Sequence, residues 1–227
     1  MTNTLENKRI LIVGGGRGIG AHIARRAEQS GAEVVIATRD GAGGTRIDVL
    51  DEVSIAAAAQ DIGPLDHVVT TASAHHDVAV TELRQDGIAD ALGAKVTGAL
   101  LLAKHFAPQV RPGGSFLLFS GIVGWKPAAG TVVKGVANGA LEYVAAHLAV
   151  ELAPLRVNAI APGIVDSGTW DRLGDERKAA LLQGAAESGL VGRHGTVDDI
   201  ADAALWLLGA GYVTGELIHV DGGARHR

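Results

Sequence analysis

The hydrophobic pattern of the chain alternates between short, unbroken apolar runs and longer segments with a helical period. Unbroken runs of branched apolar residues are typical of parallel strands that are covered on both faces. The pattern predicts strands at residues 9–13, 33–38, 66–70, 115–120, 155–160 and 216–220, and helices at 21–30, 87–106, 134–152 and 197–208. Because strands and helices alternate, we expect an α/β fold, a doubly wound parallel sheet with helices on both faces.

No linker, like-charge block or internal repeat interrupts this alternation, so residues 1–227 are interpreted as a single domain. The least regular stretch is 165–191, which contains several glycines and follows the carboxyl end of a predicted strand. Ligands bind beyond the carboxyl ends of strands in open α/β sheets. We therefore expect this segment to form a substrate lid, and the alternative is a long surface connection.

Composition narrows the class of protein. Hydrophobic residues make up 47% of the chain and the formal net charge is −5, which excludes a disordered chain and argues against a nucleic-acid partner. Cysteine is absent, so thiolate metal sites and disulfides are excluded. The polar N-terminal residues do not resemble a signal peptide, and no apolar run is long enough for a membrane span. These observations predict a cytoplasmic protein with no membrane partner.

A glycine-rich loop joins the first predicted strand to the first predicted helix, with the sequence Gly14-Gly15-Gly16-Arg17-Gly18-Ile19-Gly20. Free backbone N–H groups and the helix dipole make such a junction an anion site. Glycines allow the turn and let phosphates approach the backbone. The loop therefore predicts binding of a dinucleotide pyrophosphate, and an ordinary tight turn is the alternative.

The residues at the end of the second predicted strand indicate which dinucleotide is bound. An acidic residue at this point accepts the adenosine ribose hydroxyls of NAD(H), whereas arginine accommodates the 2′-phosphate of NADP(H). Here the strand ends in Thr38-Arg39, and Arg17 adds a second cation from the glycine loop. We therefore expect NADP(H), the alternative being that Arg39 is a solvated surface residue.

Further ordered motifs accompany the glycine loop: an Asp-hydrophobic pair, an Arg-Val-Asn segment ending in Pro-Gly, and a carboxyl-terminal Val-Thr-Gly and Val-Asp-Gly-Gly signature. In this order the motifs resemble those of the short-chain dehydrogenase/reductase family over nearly the whole chain. They lie at Gly14, Gly18 and Gly20, at Asp48-Val49, and at residues 156–163, 213–215 and 220–223.

The resemblance implies a single-domain Rossmann fold and a set of cofactor-binding residues. The family's Asn-Asn-Ala-Gly motif after the fourth strand is altered here to Thr-Thr-Ala-Ser, at residues 70–73. The expected NADP(H)-binding residues are Gly14, Gly16, Arg17, Gly18, Ile19, Gly20, Thr38, Arg39, Asp48, Val49, Thr71, Ala72, Ser73, Pro162, Gly163, Ile164 and Ser167.

The catalytic positions depart from the family, whose site combines a serine, a Tyr-x-x-x-Lys pair and an asparagine. Lys134 stands at the tyrosine position and Asn138 at the lysine position, while Lys95 stands at the asparagine position. The serine position falls at Gly121, with Ser120 one step earlier. The lysine and the asparagine of the family pattern are thus both present, but in exchanged positions. This suggests a rearranged working site formed by Lys134, Lys95, Asn138 and Ser120.

We expect Lys134 to give or take the proton, with the positive charge of Lys95 making that proton easier to release. A lysine in such surroundings is also suited to Schiff-base chemistry. The alternative is that Lys134 is a solvated residue near a helix end. Adjacent histidines at His75 and His76 do not easily share one metal ion, so we expect no metal and assign them to substrate contact or to a solvated loop.

These observations favour an NADP(H)-dependent oxidoreductase acting on a small-molecule carbonyl/alcohol pair. Two alternatives remain: a non-redox lyase, isomerase or cyclase on the same scaffold, and an NADP(H)-sensing binding protein. Apolar residues lie on more than one face of the helices at 87–106 and 136–152. Because one core needs only one apolar stripe, we also expect a homodimer or homotetramer, which the resemblance implies as well.

Overall fold

Parallel strands form the centre of the fold in the computed structural model, which describes residues 5–227. The strands in this part of the chain are β1 (Arg9–Val13), β2 (Glu33–Thr38), β3 (Thr45–Arg46), β4 (Leu65–Thr70), β5 (Val110–Phe119), β6 (Arg156–Pro162), β7 (Val165–Asp166), β8 (Gly195–Thr196) and β9 (Leu217–Val220). Seven of them form one sheet in the order β3-β2-β1-β4-β5-β6-β9, and β7 pairs with β8 separately. The strand order reverses between β1 and β4, which creates a crevice at their carboxyl ends.

Helices cover both faces of this sheet. They are α1 (Gly18–Gln29), α2 (Glu52–Ile62), α3 (Gln85–Leu92), α4 (Gly98–Phe106), α5 (Val132–Glu151), α6 (Asp175–Ser188) and α7 (Val197–Gly209). One buried apolar cluster joins the sheet to α2, α4 and α5, and a second joins it to α1 and α7. The predicted doubly wound α/β fold is therefore confirmed.

Helix α2 has no counterpart in the predicted pattern. Four consecutive alanines carry little of the contrast between large apolar and polar residues that marks an amphipathic helix. Its start is nevertheless encoded locally, because the Asp51 carboxylate accepts hydrogen bonds from the backbone N–H of Val53 and of Ser54.

The single helix predicted at 87–106 is instead α3 and α4 joined by a π-helical turn at Gly93–Thr97. Glycines at Gly93 and Gly98 allow close packing on either side of this turn. A Cβ at Gly93 would lie 2.7 Å from Leu50 Cδ2, and one at Gly98 would lie 2.8 Å from Val49 Cβ. Single π turns are frequently found at functional sites, and this one carries Lys95.

The Arg-Val-Asn segment fastens β6 to the elements around it. Arg156 donates from Nη1 to the carbonyl of Leu207 (2.9 Å) and from Nη2 to that of Leu208 (2.7 Å), near the end of α7. Asn158 donates to the carbonyl of Val213 (2.8 Å), just before β9. Both side chains are buried. This part of the motif therefore holds β6, whose carboxyl end leads into the next loop, against α7 and the segment before β9.

The irregular segment at 165–191 contains β7 and all of α6, neither of which the hydrophobic pattern predicted as a regular element. Lys178 fastens α6 to the preceding loop through ion pairs with Asp166 (2.8 Å) and Asp171 (2.7 Å). Trp170 donates from its indole N–H to the carbonyl of Val165. The lid role of this segment stays a prediction. No helix within residues 5–227 is both long enough and apolar enough to cross a membrane.

Candidate active site

A cleft of about 1670 Å³ lies beyond the carboxyl ends of the central strands. Its walls come from the glycine loop, from the segments that follow β2, β4, β5 and β6, and from α5 and α6. Ligands of open α/β sheets bind in this region. The cleft contains all four candidate catalytic residues, Ser120, Lys95, Lys134 and Asn138.

The glycine loop leaves no room for side chains at its critical positions. A Cβ at Gly14 would lie 2.6 Å from Thr71 Oγ1, and one at Gly16 would lie 2.8 Å from Thr38 Cγ2. Gly14 and Gly18 also have φ values of +85° and +56°, which favour glycine. No side chain caps the first turn of α1 and no acidic residue lies in it. The loop and helix therefore present backbone N–H groups to an anion.

The loop after β2 places Arg39 in the wall of the cleft. The nearest acidic residue, Asp40, is engaged in local hydrogen bonds. Thr38 Oγ1 donates to Asp40 Oδ1 at 3.0 Å, and the backbone N–H of Ala42 donates to the same oxygen at 3.1 Å. These hydrogen bonds lower the pKa of Asp40 and keep its carboxylate occupied. Arg39 and Arg17 line the cleft, and within residues 5–227 neither forms an ion pair.

Most of the other predicted cofactor residues line the same cleft. They are Ile19, Gly20, Asp48, Val49, Thr71, Ala72, Ser73, Pro162, Gly163 and Ile164. Two predicted residues lie elsewhere, because Ser167 and Gly18 line a small neighbouring depression, where the Ser167 hydroxyl meets that of Thr169 at 3.1 Å. The structure thus brings the set together except for this pair.

Lys95 extends from the π-helical turn to the carboxyl end of β5. Its ammonium donates to the backbone carbonyls of Phe119 and Ser120, at 3.2 Å for the second. Burial, and then the nearby charge of Lys134, lower the pKa of Lys95 to about 8. The sequence predicted that Lys134 is the tuned amine and Lys95 its tuner. In the structure the amine with the lowered pKa is Lys95.

Lys134, in the first turn of α5, forms an ion pair with Asp77 from the loop after β4. Both side chains are partly buried. The carboxylate therefore holds the ammonium of Lys134 at this position. Asp77 was not among the residues predicted for the site, although its position after a buried strand is a signal that an acid lies at this edge of the sheet.

The two histidines beside Asp77 have different surroundings. His76 is buried, and its Nε2 accepts a hydrogen bond from the backbone N–H of Arg84 at 3.0 Å, which anchors the loop that carries Asp77. His75 lines the cleft, and burial followed by the charge of Lys134 lowers its pKa. No cluster of three or more metal-ligating side chains occurs within residues 5–227.

Asn138 and Ser120 join α5 to the end of β5. The Ser120 hydroxyl donates to the backbone carbonyl of Asn138 at 2.8 Å, and both residues are buried. A Cβ at Gly121 would lie 2.9 Å from Nδ2 of Asn138. The amide of Asn138 therefore occupies the space that a side chain at position 121 would need, which fits the glycine found there.

The fold and the glycine loop define a dinucleotide-binding α/β protein. A family model described as "Enoyl-(Acyl carrier protein) reductase" matches residues 14–225. The short-chain dehydrogenase/reductase ucsE of Acremonium sp is 30% identical, over 97% of this chain and 96% of its own length. An uncharacterized oxidoreductase of Methylorubrum extorquens is 32% identical, over 97% of this chain and 99% of its own. The chain belongs to the short-chain dehydrogenase/reductase family, as its motifs predicted.

Solved structures agree with this assignment. A small-chain dehydrogenase crystallised in complex with NADPH has 35% sequence identity and a TM-score of 0.91, covering 98% of this chain and 100% of its own. A short-chain type dehydrogenase/reductase from Mycobacterium ulcerans has 27% identity and a TM-score of 0.86, covering 98% and 91%.

Proposed function

We propose that the protein is an NADP(H)-dependent oxidoreductase that acts on a small-molecule carbonyl/alcohol pair through a lysine-based site. The observation that carries the proposal is the position of two lysines, Lys95 and Lys134, in the same cleft as the glycine loop. The test is a screen of carbonyl compounds and alcohols, followed at the absorbance band of the reduced nicotinamide. Turnover of cofactor supports the proposal, and adducts formed without any change in this band would contradict it.

The residues of the cleft fit NADP(H). Backbone N–H groups at the start of α1 are suited to the pyrophosphate, and the glycines leave the space that it needs. Arg17 and Arg39 are suited to the 2′-phosphate, because arginine pairs with phosphate through charge-assisted hydrogen bonds. The NADPH complex of the related dehydrogenase supports the same choice. When bound, the cofactor supplies or accepts the hydride.

Arg39→Ala is expected to weaken NADPH binding about tenfold or more and to change NADH binding little, because one charge-assisted contact to the 2′-phosphate is lost. Calorimetry with both cofactors measures this difference. Arg46→Ala is the matched control, since Arg46 is an exposed arginine of the neighbouring strand that pairs with Asp51. Equal affinities of the wild type for NADPH and NADH would overturn the choice of cofactor.

Lys134 is the residue that we assign to the reacting oxygen. Reduction of a carbonyl places negative charge on this oxygen, and a fixed cation stabilises that charge best in a partly dry site. The ion pair with Asp77 holds the ammonium in place. Asp77 therefore acts as a positioning residue, and Lys134 pairs with the developing alkoxide.

Lys95 is the residue that we assign to proton transfer. A group whose pKa is close to the working pH exchanges protons most efficiently, and the pKa of Lys95 is lowered to about 8. In reduction its ammonium gives up a proton that ends on the alkoxide, and in oxidation its neutral amine accepts one. Asn138 lines the cleft beside Gly121 and is suited to donate an amide hydrogen bond to the substrate. Ser120 holds Asn138 in place through its backbone.

A second candidate function is a non-redox reaction through a Schiff base. It is favoured by the lowered pKa of Lys95, since a neutral amine is the nucleophile that attacks a carbonyl. Borohydride reduction in the presence of substrate distinguishes the two functions. A stable adduct on Lys95 with no change in the nicotinamide band would favour the Schiff base.

We also propose that copies of the chain associate through the outer face of α5. Val136, Tyr143 and Val150 follow one another at seven-residue intervals on this helix, and their exposed fractions are 59%, 70% and 81%. Leu100 of α4 is exposed as well. A row of exposed apolar residues is typical of a protein interface. Light scattering at micromolar concentration is expected to give the mass of a dimer or tetramer, with Val136→Glu shifting it towards the monomer. A monomeric wild type would contradict this.

A further inference from the structure

Away from the predicted cofactor-binding residues, most cations that line the cleft already have an acidic partner. Arg193 pairs with Asp199 at 2.7 Å, Arg225 pairs with Asp221 at 2.9 Å, and Lys134 pairs with Asp77. Lys95 donates to two backbone carbonyls and has its role in proton transfer. Among the described residues 5–227, Lys126 is the lysine or arginine in this part of the cleft that has neither an acidic partner nor an assigned role.

Lys126 is held at the wall of the cleft by one neutral partner. Its Nζ donates to the backbone carbonyl of Ala224 at 2.9 Å, and none of the ion pairs within residues 5–227 includes it. The side chain is half-buried. An ammonium has three donors, so this contact leaves two of them and the full charge without a protein partner. A half-buried charge in this state favours an anion beside it.

The residues around Lys126 pack together and form part of the cleft wall. The preceding residue, Trp125, packs edge-on against His219 with ring centroids 4.6 Å apart. His219 also lines the cleft, and its Nε2 is a buried atom without a hydrogen-bond partner in the described part of the chain. Lys126 and His219 therefore give this wall two polar groups whose hydrogen-bonding capacity the protein itself does not use.

Helix α6 and the residues after it contribute apolar side chains to the same cleft. Leu181 and Ala185 of α6 and Val191 beyond it line the cavity. A ligand that contacts this surface and the wall at Lys126 must be apolar along its body and anionic at one end. Lys126 is a single cation, whereas phosphate sites commonly combine arginine forks or helix N-termini, so a carboxylate fits it better than a phosphate.

We propose that the substrate is an oxo acid or hydroxy acid whose carboxylate binds Lys126, with its carbonyl or hydroxyl group at Lys134 and its apolar body against α6. This assignment rests on the proposed oxidoreductase function and names its substrate class.

The experiment measures binding to the NADP⁺-loaded protein, so that it does not depend on turnover. The probes are straight-chain oxo carboxylates of four to ten carbons, their methyl esters, and alkyl phosphates of the same lengths. We expect at least one carboxylate to bind about tenfold or more tightly than its ester. Lys126→Gln should remove this preference and Lys126→Arg should retain it. Lys104→Gln is the matched control, since Lys104 is exposed and pairs with Glu52.

Equal binding of every acid and its ester by the wild type would overturn the assignment, as would a preference that survives in Lys126→Gln. Stronger binding of the alkyl phosphates than of the carboxylates would overturn the assignment of a carboxylate to Lys126. Failure of the proposed function has a different signature. Carboxylates would then bind in a Lys126-dependent way while none of the probes changed the nicotinamide band with NADPH or NADP⁺.

Discussion

Replacing Lys134 with methionine is expected to lower kcat about 10² to 10³-fold, the usual cost of removing one group that stabilises a developing oxyanion. Methionine keeps the length and apolar character of the side chain but has no charge to pair with the alkoxide. NADPH affinity should change little, because the pyrophosphate and 2′-phosphate are assigned to the glycine loop, Arg17 and Arg39. Steady-state kinetics and calorimetry with NADPH measure the two effects separately.

Asp77→Asn is the companion variant. It leaves Lys134 in place but removes the carboxylate that orients it. We expect a smaller fall in kcat than in Lys134→Met, with KM changed less than kcat, because positioning of the ammonium matters most in the transition state. Lys104→Met, a change to a distant exposed lysine, controls for loss of surface charge. Full activity in Lys134→Met would remove this lysine from the mechanism.

Lys95→Met is expected to change how the stability of the fold depends on pH. The pKa of Lys95 falls from 10.5 to about 8 on folding, so between these values the unfolded chain binds more protons than the folded one. Stability of the wild type therefore rises with pH across this window, and the penalty for burying the charge is fully present below about 8. A pKa that is lower by one corresponds to about 1.4 kcal/mol in the free energy of unfolding. The wild type therefore gains roughly 3 kcal/mol of stability at most as the pH rises through this window.

Denaturant unfolding of wild type and Lys95→Met at pH 7 and pH 10 measures this gain. Other titrating groups are shared by the two proteins, so the difference between their pH dependences isolates the lysine. Lys95→Met also leaves the carbonyls of Phe119 and Ser120 without their donor, which shifts its stability at both pH values. If the free energies of unfolding of the two proteins changed with pH in parallel, this would contradict the lowered pKa of Lys95 in the folded protein.

The fold and the residues expected to bind the dinucleotide could be predicted, because the sequence patterns that indicate them are local. The glycine loop lies between a strand and a helix in the sequence, and Thr38-Arg39 stands at the end of a strand, so each position is set by adjacent residues. The same holds for Lys134, which lies in the first turn of a long helix. These features follow from patterns within a few residues.

The environment of the two candidate catalytic lysines, Lys95 and Lys134, depends on contacts between residues that are far apart in the sequence. Lys95 lies in a π-helical turn that forms where Val49 and Leu50 pack against Gly98 and Gly93, and a continuous apolar period gives no sign of that packing. The pairing of Asp77 with Lys134 joins residues 57 positions apart. Such contacts decide which lysine is buried and which is ion-paired, and therefore which pKa is lowered.

The structure adds a steric constraint to the predicted exchange of residues relative to the family. The amide of Asn138 takes the space beside Gly121, and Ser120 is bonded to the backbone of α5. Gly121→Ser alone would therefore meet the Asn138 amide. A serine at position 121 therefore requires the Asn138 side chain to shift.

The pH dependence of carbonyl reduction tests the lysine-based site most directly. The measurement is kcat for NADPH oxidation across pH 6 to 10, in wild type and in Lys95→Met, on any carbonyl compound that turns over. If the Lys95 ammonium supplies the proton, the wild-type rate falls as pH rises through the pKa of Lys95, about 8. The Lys95→Met rate should be low and should not show this fall. A wild-type rate that is constant across this range, or a Lys95→Met profile identical to it, would contradict proton transfer by Lys95.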